Sequence, residues 1–122
     1  MIFNLIIPKL NEYMKSARIE ALYVTIGEQL LSGSKVLDMS VDLSNVFAQN
    51  CPPISYHRVV LREKLWVRKL LIQPGSYCNP DDCIALLSSE PTEALDQAIA
   101  RPARIMVAGI VYHPEMWSGS HA

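Results

Sequence analysis

The sequence predicts an all-β domain, a small barrel or sandwich with pseudo-two-fold symmetry. Three observations lead there. Short runs rich in β-branched and aromatic residues alternate with Gly- and Pro-containing turns. The turn pattern of the first half recurs in the second. And 122 residues with 50% hydrophobic and 19% charged side chains fit one ordinary folded domain.

Ile2 to Ile7 reads as a first strand, closed by Pro8, whose ring fixes φ and removes a donor. Arg18 to Ile26 reads as a second strand from its alternation. Residues 12–23 also carry good helix formers, and the flanking β-rich runs and glycines favour the strand. Gly27-Glu28 and Ser32-Gly33-Ser34 are turns around a short apolar bridge, and Lys35 to Met39 is the next strand. Asn50-Cys51-Pro52-Pro53 cannot continue a helix or a central strand. Tyr56 to Ile72 is long enough for two strands, with Arg62-Glu63-Lys64 at the break. Thr92 to Ala100 predicts a short helix: Glu93 and Asp96 sit at its positive end, and Ala94, Leu95, Ala98 and Ile99 share a face. Arg104 to Tyr112 is apolar on both faces and predicts a covered strand.

The repeat sets the architecture. Ile72 to Leu87 lies over Val24 to Met39 with strand end, Gly turn, apolar bridge, polar turn and new strand in the same order. Gly75 matches Gly27, and Asp81 matches Gly33. Two halves too small to bury a face alone must share a core.

Composition excludes several functions. A formal charge of −1 supplies no basic surface for nucleic acid. No apolar run approaches a membrane span, and Met1 to Ile7 lacks the features of a signal peptide. Cys51, Cys78 and Cys83, odd in number and without a CxxC, predict a reduced, cytoplasmic protein with no disulfide framework.

Pro8-Lys9-Leu10-Asn11-Glu12-Tyr13-Met14 resembles the opening signature of lipoyl domains in 2-oxo acid dehydrogenase acyltransferases. Gly27-Glu28 and Gly33-Ser34 fall where that family has its two Gly-Asp turns. Ser40-Val41-Asp42-Leu43-Ser44 falls on its Glu-Thr-Asp-Lys-Ala hairpin tip. The likeness covers residues 1–44, and 65–88 through the repeat. It implies a biotinyl/lipoyl-type barrel-sandwich hybrid over 1–88, with an insertion at about 45–64 and a helix-strand extension at 89–122.

The resemblance also implies a lost activity. The family attaches its lipoyl arm, by an amide, to the tip lysine, and this chain has Leu43 there. Leucine offers no nucleophile, so neither lipoyl nor biotin is expected at that position. The expected function is a non-catalytic docking module for an acyltransferase, dehydrogenase or carboxylase component, without a membrane or nucleic-acid partner. A homo-oligomer through the C-terminal strand is compatible with this. One alternative is a carrier modified at another lysine, Lys64. A second is a small enzyme pairing Cys51 with His57. His113, Glu115, Met116 and His121, or Cys78 with Cys83, lack metal-site spacing. The two cysteines read instead as small hydrophobes. Tyr56, Trp66, Tyr112 and Trp117 lie outside the best-matching part and suit core or interface roles.

Overall fold

A computed structural model describes residues 1–10, 14–42 and 54–110. Within them the chain is all β. The strands are β1 (Ile2–Ile6), β2 (Ala17–Leu22), β3 (Gln29–Leu30), β4 (Lys35–Asp42), β5 (Ile54–Leu61), β6 (Leu65–Leu70), β7 (Tyr77–Cys78), β8 (Cys83–Ser88), β9 (Ile99–Pro102) and β10 (Ile105–Ile110). They form two five-stranded sheets, ordered β3-β6-β8-β1-β9 and β10-β5-β4-β2-β7.

The two orders are images of each other under the repeat. β3 corresponds to β7, β6 to β2, β8 to β4 and β1 to β5, so each sheet takes strands from both halves. Even the irregularities correspond. Glu20 interrupts the register of β2 against β4, and Arg68 interrupts that of β6 against β8 at the matching place. The turns lock the halves together. Gly27 N–H donates to Val67 O, and Gly75 N–H donates to Ile19 O, both at 2.7 Å. Gly33 N–H reaches Leu61 O at 2.7 Å, and Asp81 N–H reaches Ile7 O at 2.8 Å.

The inner faces form a single core. The first sheet contributes Phe3, Leu5, Leu65, Val67 and Leu87; the second contributes Ile19, Leu37, Met39, Val41, Val59 and Leu61. Alternation of these residues with polar ones along β4 and β6 is what makes one face of each strand bury.

Several expectations change. Of the interval 45–64 expected as an insertion, residues 54–61 are β5, the counterpart of β1 and a full member of the second sheet. Residues 45–53 of that interval lie outside the described residues, and Ile7 to Ile19 is also a longer stretch than the matching Leu61 to Val67. No helix forms at 92–100. Residues 91–98 are turns and bends, and Ile99 to Pro102 is β9, which pairs with β1 in parallel. The helical signal loses to tertiary capture. Glu93 accepts from the N-terminal ammonium at 2.5 Å, its backbone oxygen accepts from Arg68 at 2.7 Å, and Leu95 stays partly exposed. The predicted covered strand is instead an edge. Among the described residues β10 pairs with β5 alone, and Met106 is 45% exposed.

Gly27, Gly33 and Gly75 have φ of 92°, 97° and 92°, and Asp81 has φ of 71°. A Cβ at Gly75 would meet open space, so substitution there tests backbone strain alone. Gly75→Ala is expected to cost about 1–2 kcal/mol, read as a lower urea midpoint. Asp81→Gly is expected to change stability little, because aspartate already tolerates this region.

Candidate functional site

The outer face of the second sheet carries a polar groove beside the end of β4. It follows from simple alternation: Leu37, Met39 and Val41 point into the core, so Asp38, Ser40 and Asp42 point out. Register then places Tyr77, Arg18, Ser40 and Tyr56 in one cross-strand row on β7, β2, β4 and β5. These residues, with Ser16, Glu20, Asp42 and Ile54, line a cavity of about 190 Å³.

Glu20 is its electrostatic centre. The break in register frees its side chain to reach across the sheet. One carboxylate oxygen accepts from Arg18 Nη1 at 2.6 Å and the other from Ser40 Oγ at 2.6 Å. Burial pushes the Glu20 carboxyl up, but the Ser40 and Arg18 hydrogen bonds outweigh it and hold it below its ordinary value. Glu20, Arg18 and Asp42 are the charged residues among the described residues of its lining. Tyr77 stands at its mouth, 73% exposed.

A second cluster lies on the same face. Asp38 accepts from Arg58 Nε at 2.8 Å and Nη2 at 3.1 Å, and from Tyr23 Oη at 2.5 Å. Lys35 Nζ and the Arg58 guanidinium lie 5.1 and 5.5 Å from the Tyr23 ring centroid. Burial alone would raise the Asp38 pKa, but the hydrogen bonds from Arg58 and Tyr23 and the charge of Lys35 lower it. This cluster ties the end of β2 to β4 and β5.

The residues singled out from sequence separate. Ser40, Val41 and Asp42 are not a tip: they are the last three residues of β4, with Val41 1% exposed in the core. Leu43, Ser44 and Cys51 lie outside the described residues, as do His113, Glu115, Met116, Trp117 and His121. Lys64 is exposed between β5 and β6. Its neighbour Glu63 is clamped by Arg101 Nη1 and Nη2 at 2.8 and 2.7 Å. His57 lies on the inward-facing side of β5 opposite Met39, with Ser55 Oγ 2.9 Å from Nε2, and burial lowers its pKa. Cys78 is buried, which raises its pKa, while Cys83 is half-buried. Among the described residues no three His, Cys, Asp or Glu side chains converge as metal ligands, and no helix is long and apolar enough to cross a membrane.

Sequence reasoning missed Arg18, Glu20, Tyr77 and the Asp38–Arg58 pair. The signal was present on β4, where three polar residues alternate with three core residues. Its partners come from distant strands that only the register identifies. Comparison with family models, with curated proteins and with solved structures finds no match.

Proposed function

We propose that the chain is a non-catalytic docking module on a biotinyl/lipoyl-type barrel-sandwich scaffold, serving an acyltransferase, dehydrogenase or carboxylase component. The observation that carries this is the interlocked repeat. Its two halves exchange turn hydrogen bonds at Gly27, Gly33, Gly75 and Asp81, at the landmarks on which the lipoyl resemblance rests. The residue that follows β4 is Leu43, where a carrier needs a lysine amine. Such a scaffold retains surface for recognition without the chemistry, and the groove beside β4 supplies that surface.

Two measurements test this. Intact mass of the protein purified from its native host is expected to equal the unmodified chain. An added lipoyl or biotinyl mass would transfer the proposal to a carrier modified elsewhere, with Lys64 the first position to map. Affinity capture from host lysate with the whole chain is expected to retrieve an acyltransferase, dehydrogenase or carboxylase component identified by mass spectrometry. Tyr77→Ala should reduce that capture. Retrieval of none of these components removes the docking function.

A further inference from the structure

Each sheet has two edges, and three of the four are guarded. β3 and β7 are two residues long, and β9 carries Arg101 and Pro102. Short strands, charge and proline are the usual defences of an unpaired edge. β10 has none of them. Its six residues, Ile-Met-Val-Ala-Gly-Ile, hold no charge and no proline. Its register against β5 runs from Ile105 to Ile110 without a bulge. Among the described residues no strand pairs with its other side.

Register fixes which groups β10 presents. Arg62 N–H donates to Arg104 O at 2.8 Å, and Leu61 N–H donates the other way, to Ser34 O, at 2.9 Å. Even-numbered residues of β10 therefore bond β5, while Ile105, Val107 and Gly109 turn their N–H and C=O groups outward. An antiparallel second copy centred on Val107 meets all three: Ile105 faces Gly109, Val107 faces Val107 and Gly109 faces Ile105. Side chains fit in the same register. Met106 stands beside Ala108 and Ile105 beside Gly109, so a long side chain meets a short one on each face. A slip of two residues leaves one of the outward residues without a strand partner. It also sets Met106 against Met106 or Ala108 against Ala108. Charge permits the match as well. Arg104 faces Ile110, and the two Arg104 positions lie roughly 20 Å apart along the strands, beyond the screening length of about 8 Å in physiological salt.

We propose that β10 is the interface of a homodimer, pairing antiparallel with β10 of a second copy about a two-fold axis at Val107. A two-fold contact needs a self-complementary patch, and this strand is one. The second sheets of the two copies join edge to edge, with β7 at both outer ends. The groove at Tyr77 stays open at each end, so the dimer stands or falls separately from the docking function.

Sedimentation velocity of the whole chain over a dilution series is expected to show a dimer that dissociates to monomer. Gly109→Lys is the disrupting variant. A Cβ at Gly109 meets open space within one copy, so the variant should keep the far-UV spectrum of the parent. In the dimer the lysine must share the place of Ile105 from the other copy, and it should weaken dimerisation at least tenfold. Cysteine cross-linking reads the register. Under oxidised glutathione, Val107→Cys should form a disulfide-linked dimer, because its Cα atoms lie about 5.5 Å apart across the axis. Gly109→Cys should not exceed the background set by the parent chain's own cysteines, because its Cα atoms lie roughly 13 Å apart. A monomer at every concentration overturns the proposal, whether residues 111–122 or a different protein covers the edge. A dimer indifferent to Gly109→Lys overturns it, as does cross-linking at Gly109 equal to that at Val107. If Gly109→Lys unfolds the chain, the cross-linking pair decides alone.

Discussion

Leu61→Ala is expected to destabilise the fold by about 3–4 kcal/mol, near the middle of the range for buried leucine truncations. Leu61 is fully buried and belongs to the single core cluster. Its backbone also joins the halves, accepting from Gly33 N–H and donating to Ser34 O at 2.7 and 2.9 Å. The strands around it come from both halves, so neighbours cannot collapse into the void without shifting a register. Domains of this size have about 5–15 kcal/mol in total, so the variant should lose much of its reserve. Ile7 holds the matching place against Asp81 and Asp82, and Ile7→Ala should cost a similar amount. Both variants should keep one urea transition, with tryptophan fluorescence and far-UV circular dichroism coinciding. Two separated transitions would mean that the halves fold independently, contrary to the interlocked sheets. Met106→Ala on the exposed edge strand is the control, expected within about 0.5 kcal/mol of the parent.

What could be read from the sequence divides along the range of the forces involved. The turns were legible because they are local: glycine at positions 27, 33 and 75 supplies φ above zero, and their spacing recurs. The break at Arg62-Glu63-Lys64 was legible for the same reason, as charges interrupt a long apolar β run between β5 and β6. The segment at 92–100 was misread because its helical features are local while its fate is not. Arg68 and the N-terminal ammonium capture Glu90 and Glu93, and β1 offers an open edge to Ile99–Pro102. The exposed side of β10 was misread from composition, since an apolar run shows no difference between a covered strand and an edge. The groove was half legible. Ser40 and Asp42 stood out near the lost lysine position, but Glu20 and Tyr77 reach them only through a register break and a short edge strand. Offsetting the two halves against each other would have paired Glu20 with Arg68 and exposed the reversal of charge.

Arg58→Ala is expected to destabilise the protein by about 2 kcal/mol at pH 7, toward the low end for breaking a buried ion pair because Arg58 is partly solvated. The loss comes less from the missing attraction than from Asp38, whose largely buried carboxylate keeps the Tyr23 hydroxyl and the charge of Lys35 but loses both hydrogen bonds from the guanidinium. The sign of the pH dependence follows. The folded-state pKa of Asp38 lies below its ordinary value, so the pair's stabilisation is fully present above the unfolded value of about 3.9. It is lost as pH falls through the folded value. Removing Arg58 raises the Asp38 pKa, so the variant should begin to lose this carboxylate's charge at a higher pH, and its deficit relative to the parent should shrink on acidification. The other sheet shows that the place does not need an ion pair: the matching residues are Asn4 and Leu86. Because the buried Asn4 Oδ1 has no hydrogen-bond partner among the described residues, the repair takes apolar residues at both positions. Asp38→Leu with Arg58→Leu should recover most of the stability lost in Arg58→Ala, because no buried charge is left unpaired. It should also remove the Asp38 contribution to acid unfolding. Chemical denaturation of the three proteins between pH 3 and pH 7 decides the matter. A double variant no more stable than Arg58→Ala at pH 7 would show that the pair contributes through its geometry rather than through the charge it neutralises.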